Sequence, residues 1–138
     1  MTNDKTPPPQ VWPSLRAHDA RRLIRFLVDV FGFEETAVYG DGDVVEHCQL
    51  SWPEGGGIML GSVRDAPANP WNLQPGSAGA YVVSDHVDEI YRRTVAAGAT
   101  ILQEPNDTDY GSHGFSCRDP ECNLWSFGTY RGEPRSAA

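Results

Sequence analysis

The sequence predicts an α+β fold: two tandem βαβββ modules forming a curved, partly closed mixed sheet with helices outside. Three paired spacings predict it. Asp19 follows an extended stretch, Val11–Ala17, and opens a helical pattern that Gly32 closes thirteen residues later. Asp85 follows Ala80–Ser84 and opens a second pattern that Gly98 closes at the same interval. Pro53-Glu54 precedes Gly61 by the interval that separates Pro120-Glu121 from Gly128. These pairs lie 66 or 67 residues apart. Self-similarity at a fixed offset marks a duplicated supersecondary unit. A strand, a helix and three further strands in each half imply two concave sheets with a cleft between them, and function is expected in that cleft.

Each element has its own signal. Val11–Ala17 reads as a strand with Leu15 and Ala17 on one face and Ser14 and Arg16 on the other. Asp19 is a suitable helix cap. Leu23, Ile24, Leu27, Val30 and Phe31 recur at helical spacing as an apolar stripe, and Gly32 stands where a helix ends. Glu34–Tyr39 reads as an outer strand, and Asp41-Gly42 as a tight turn. Val44–Trp52 alternates, with Cys48, Leu50 and Trp52 on one face and His47, Gln49 and Ser51 on the other. Gly57–Val63 is the fourth strand. Residues 64–77 carry three prolines and form an irregular link. In the second unit, Ala80–Ser84 is the first strand and His86–Ala97 the helix, with Val87, Ile90, Tyr91 and Val95 inward. Thr100–Glu104, Phe115–Arg118 and Leu124–Tyr130 complete it.

The 138 residues are 39% hydrophobic, enough for one domain that buries about 68% of its unfolded surface. That domain spans residues 11–130, as module one (11–63), link (64–77) and module two (78–130). Residues 1–10 and 131–138 read as tails. The first tail is polar and Pro-rich without an apolar stretch, so it does not resemble a secretory signal. No apolar run approaches the roughly 18 residues of a membrane span. A net charge of −8 disfavours a nucleic-acid partner, which needs clustered Lys and Arg. Three cysteines, Cys48, Cys117 and Cys122, form no even disulfide framework and no Cys-x-x-Cys pair. A cytoplasmic location is expected.

Leu15-Arg16-x-x-Asp19, Phe31-Gly32-Phe33 and Ile58-Met59-Leu60-Gly61 resemble the first module of the vicinal oxygen chelate superfamily. That superfamily contains glyoxalase I, bleomycin-resistance proteins and extradiol dioxygenases. Tyr110-Gly111-Ser112-His113-Gly114-Phe115 and Arg118-Asp119-Pro120-Glu121-Cys122-Asn123-Leu124-Trp125 resemble the end of its second module. The resemblance spans Val11 to Tyr130. Cys122 departs from it, because the family pattern usually has Gly there. That position implies φ > 0, and Cys122 is read either as a tolerated turn residue or as a reactive thiol.

Metal enzymes of the superfamily draw His and Glu ligands from four strand positions, which the resemblance carries onto this chain one at a time. The first falls on Trp12 (or Pro13), the second on Met59, the third on Gly79 (or Ala78) and the fourth on Ser126. None supplies the imidazole or carboxylate that a catalytic divalent metal prefers. The resemblance is therefore to the bleomycin-resistance branch, with neither metal nor cofactor expected. His18 and His86 fall at helix starts, where surface or capping roles are expected. His47 either lines the cleft or faces solvent. A site built from His47, His113 and Glu46 would be a new arrangement.

Strand alternation places the neighbours of those four positions on the same face. The expected ligand-binding residues are Trp12, Ser14, Arg16, His47, Met59, Tyr81, Leu124 and Ser126, and no catalytic residue is assigned. Trp12 and Tyr81 are placed to stack on a planar ligand. Arg16 either pairs with a ligand carboxylate or phosphate or offsets a nearby acid. Trp71 in the link is either a lid or a loop anchor. The opposite parity, Leu15, Ala17, Ile58, Leu60, Ala80, Val82, Trp125 and Phe127, suits a helix-facing core. The expected function is binding of a small hydrophobic or aromatic compound in a metal-free cleft, for resistance or sequestration. The alternatives are a lyase, isomerase or dioxygenase leaning on His47 or Glu46, and a fold that serves assembly. A homodimer is expected, with no nucleic-acid or membrane partner.

Overall fold

The computed structural model describes residues 9–134, and the outer parts of both expected tails lie outside them. The described residues divide into two compact units between Pro75 and Gly76.

In the first unit, β1 (Ser14–Ala17) leads into α1 (Ala20–Phe26), and β2 (Glu34–Asp41), β3 (Val44–Ser51) and β4 (Gly57–Ser62) follow. The sheet order is β1-β4-β3-β2, with β1 parallel to β4 and the other pairs antiparallel. Asp19 caps α1 as expected: its carboxylate accepts from the Arg22 amide at 3.1 Å. The helix then widens into a π-helical turn, Leu27–Phe31, before Gly32 ends it at φ 101°. The stripe still faces inward: Leu23, Leu27 and Phe31 are fully buried, as are Val45, Cys48 and Leu50 of β3. β1 is shorter than expected, because Val11 is exposed and the ladder starts only where Met59 N donates to Pro13 O.

The second unit repeats the order as β5 (Gly79–Val83), α2 (Val87–Ala96), β6 (Ile101–Asp107), β7 (His113–Arg118) and β8 (Leu124–Gly128). Its sheet order is β5-β8-β7-β6. Val82, Phe115, Cys117, Trp125 and Phe127 of the sheet are buried, as are Val87 and Ile90 of α2. One expectation for α2 is corrected. Val95 is exposed, and Thr94 is buried in its place with its hydroxyl donating to Ile90 O. Ahead of α2, Ser84 Oγ accepts from the His86 amide at 2.9 Å, and Asp85 pairs with Arg131. Arg131 to Pro134 form no strand or helix, yet Arg131 and Glu133 are tied by that ion pair and by the Tyr130 hydroxyl.

The parallel ladders carry the duplication. Ser14 pairs with Met59 and Tyr81 with Ser126, and each member moves 67 positions between units. An extra residue is also duplicated. Thr36 stands unpaired between Glu35↔Leu50 and Ala37↔Gln49, and Leu102 stands unpaired between Ile101↔Cys117 and Gln103↔Ser116. Both are β-bulges in the outer strand.

The link belongs with the first unit. The Arg64 amide donates to Asn72 Oδ1 at 2.9 Å, and Asn72 Nδ2 returns a bond to Arg64 O at 2.7 Å. Asn72 is thus the anchor, and the ring of Trp71 is exposed. Among the described residues, no helix is long and apolar enough to cross a membrane.

Candidate functional site

Strand alternation decides which side chains leave each sheet on the side away from its helix. In both units the expected parity holds. Leu15, Ala17, Ile58 and Leu60 are buried, as are Val82, Trp125 and Phe127, whereas Ala80 of the same parity is only half-buried; Ser14, Arg16, Met59, Tyr81, Leu124 and Ser126 are half-buried or exposed on the opposite face.

On the open face of unit one, large side chains lie flat over glycines. An added Cβ on Gly57 would come 2.7 Å from the Trp12 ring, and one on Gly61 would come 2.5 Å from Arg16 Nη1. Trp12 is pinned further by its indole N–H, which donates to Pro9 O at 3.2 Å. Arg16 Nε donates to Trp71 O at 2.8 Å, and Nη1 reaches Ser62 O at 3.5 Å. Among the described residues no carboxylate pairs with Arg16, because Glu46 is held by Arg64 at 2.6 Å. Arg16 therefore presents a half-buried guanidinium without an acid to offset. His47 is exposed and stacks on its cross-strand partner Tyr39, with centroids 6.3 Å apart.

On unit two the open face holds two adjoining hollows. One, of about 280 Å³, is lined by Leu102, Leu124 and Ala80 together with Ser116 and Ser126. The other, of about 90 Å³, is more polar and takes in Tyr81, Gln103, Asn106, Tyr110 and Ser112, again with Ser116 and Ser126. The two serines are the shared floor. They oppose each other directly on β7 and β8, and the row extends to Gln103 on one side and Tyr81 on the other. Tyr81 crosses over Gly128, and its hydroxyl donates to Tyr130 O at 2.6 Å, which fixes the ring. The β6 bulge turns two successive residues to this face, sending Leu102 to the apolar hollow and Gln103 to the polar one.

The structure thus brings Tyr81, Leu124 and Ser126 together on one face and Trp12, Ser14, Arg16, Met59 and His47 on another. Leu102, Gln103 and Ser116 were missed. The burial of Phe115 and Cys117 gives the parity that points Ser116 outward, a signal present in their apolar alternation. Gln103 and Leu102 were hidden by the bulge, which strict alternation does not reveal.

His113 belongs to a different place. Nε2 bonds Asp88 on α2 and Nδ1 bonds Asp107 on β6, both at 2.7 Å. Hydrogen bonding to Asp88 and then to Asp107 raises its pKa. The two ring nitrogens point to different carboxylates, so they do not share one ion. Among the described residues no three of His, Cys, Asp or Glu are grouped to hold a metal. The positions expected from the resemblance, Trp12 (or Pro13), Met59, Gly79 (or Ala78) and Ser126, include no imidazole or carboxylate, a donor set that does not fit a catalytic divalent metal.

Cys122 is exposed and takes φ 72°, the left-handed conformation expected of it. Cys48 and Cys117 are buried, and burial pushes both thiols up to about 12.

A family model described as the glyoxalase/bleomycin resistance protein/dioxygenase superfamily matches residues 10–127. Among solved structures, TioX from Micromonospora sp. ML1 is 28% identical, with a TM-score of 0.68 over 83% of this chain and 93% of that one. TnmS3, an antibiotic binding protein from Streptomyces sp. CB03234, is 24% identical with a TM-score of 0.61, over 83% of this chain and 88% of that one. Lactoylglutathione lyase from Agrobacterium tumefaciens is 23% identical with a TM-score of 0.63, over 88% and 94%. No curated protein matches the chain by sequence.

Proposed function

The chain belongs to the glyoxalase/bleomycin resistance protein/dioxygenase superfamily, and we propose that it binds a small hydrophobic or aromatic compound without a catalytic metal, as a resistance or sequestration protein. The same fold serves an antibiotic binding protein and a lyase, so the fold selects neither. The chain's own residues favour binding. The reading rests on the positions that the resemblance carries over, Trp12 (or Pro13), Met59, Gly79 (or Ala78) and Ser126, none of which is a His, Asp or Glu. Acid–base chemistry would need a positioned His or carboxylate beside the substrate. The hollows of unit two are lined instead by hydroxyl, amide, aliphatic and phenolic groups.

The open face of unit two supplies the seat. Its larger hollow is close in size to the roughly 300 Å³ lower bound of small-molecule pockets. On unit one, Arg16 is free of a carboxylate partner and separately offers a cation to an anionic group. We further propose a homodimer in a cytoplasmic setting, with light scattering to establish the dimer. The binding proposal is tested by a thermal-shift screen of planar compounds against protein purified with chelator. A ligand at 100 times its dissociation constant stabilises by about 2.7 kcal/mol. A stoichiometric zinc, nickel, iron or manganese signal in the purified protein would count against it.

A further inference from the structure

On the open face of unit two, Tyr81, Ser126, Ser116 and Gln103 form one row in register across β5, β8, β7 and β6. Three strand spacings make this row roughly 14 Å long. Its ends and its middle differ. Tyr81 is a fixed wall, held by its bond to Tyr130 O. Ser116 and Ser126 are low and form the floor shared by both hollows. Their hydroxyls, like the Gln103 amide, bond no described residue, and they are not sealed from solvent. Elsewhere in this unit hydroxyls are used: on α2 Thr94 bonds Ile90 O, and just before β7 Ser112 Oγ accepts from the Tyr130 amide. The two serines are the ones left with open hydrogen-bonding capacity on the floor of a hollow.

The sides of the row differ too. Leu102 and Leu124, both exposed, flank the serines in the larger hollow, and Asn106 and Ser112 flank them in the smaller. A molecule lying flat along the floor would meet hydrocarbon on one edge and hydrogen-bonding groups on the other. Directly opposed residues on neighbouring antiparallel strands hold their Cβ atoms about 4.5–5.5 Å apart. Two oxygens placed meta or para on a six-membered ring span a comparable distance.

We propose that Ser116 and Ser126 select a planar ligand bearing two oxygen substituents one strand spacing apart, with its hydrocarbon edge against Leu102 and Leu124. This rests on the binding function proposed above and narrows its ligand class. Each serine hydroxyl both donates and accepts, so phenolic and carbonyl oxygens are equally suited. Selectivity follows from desolvation. A hydrocarbon laid over both serines strips them of water and returns no bond, whereas a dioxygenated ring replaces those bonds.

Two probes separate the claims, titrated into the protein by calorimetry: 1,3-dihydroxynaphthalene and 1-methylnaphthalene. The dihydroxy compound is expected to bind roughly tenfold tighter or more. In the double variant Ser116→Ala/Ser126→Ala that preference disappears, and 1-methylnaphthalene binds as well as before or better. Equal affinity of the two probes for the unmodified protein, or a preference that survives the double substitution, overturns the selection by serines and leaves the binding function standing. Failure of both probes to bind the unmodified protein overturns the binding function itself, and the selection with it.

Discussion

The indole N–H of Trp125 donates to a buried carboxylate oxygen of Asp119 at 2.8 Å. The same oxygen accepts from Asn123 Nδ2 at 2.9 Å, and its partner oxygen accepts from the amides of Glu121 and Asn123. Asn123 Oδ1 in turn accepts from the Ala78 amide at the entry to β5. The motif that identifies the family by sequence is therefore a turn-building device: one acid organises the β7–β8 connection and ties it to the neighbouring strand.

Asp119→Ala removes the carboxylate that accepts from the Trp125 indole N–H and the Asn123 side-chain amide. A loss of about 3 kcal/mol is expected, since each unsatisfied buried donor costs roughly 1–3 kcal/mol. Urea unfolding of the variant checks this. A loss below about 1 kcal/mol would show that the turn holds without its acid.

Much of the fold was legible because its signals are local. Asp19 and Gly32 mark a helix at both ends by cap chemistry, and the 67-residue offset recurs in the ladder pairs Ser14↔Met59 and Tyr81↔Ser126. The site was legible only where alternation is unbroken, as at Tyr81, Leu124 and Ser126. At Leu102 and Gln103 a bulge shifts the parity, so two successive side chains leave by one face.

Cys122 stands in the left-handed region, which costs a side-chain-bearing residue about 1–2 kcal/mol. Cys122→Gly relieves that strain and loses part of the gain to a freer unfolded chain. A net stabilisation of about 0.5–1 kcal/mol is expected, a few degrees in Tm. Calorimetric melting checks it, and a fall in Tm would mean that the thiol makes compensating contacts.

The three thiols should separate by reactivity. Cys48 and Cys117 are buried, with pKa values pushed up to about 12, whereas Cys122 is exposed. Ellman's reagent is expected to modify one thiol per native chain and all three after denaturation. Rapid labelling of a second thiol in the native protein would contradict the packing of both cores.

His113 bridges α2 to β6 through Asp88 and Asp107, and these bonds raise its pKa above the ordinary 6.5. The folded protein therefore holds this proton more tightly than the unfolded chain does. The stabilisation is fully present below the unfolded value and is lost as pH rises through the raised folded value. The Tm difference between the unmodified protein and His113→Gln is expected to be largest at mildly acid pH and to shrink on the alkaline side. A difference that grows with pH would reverse the assigned sign.

The most direct test of metal-independent binding is a calorimetric titration of one planar aromatic ligand into the protein before and after exhaustive treatment with EDTA. The account predicts the same dissociation constant in both. Binding that disappears with the chelator and returns on adding zinc, nickel, iron or manganese would contradict it.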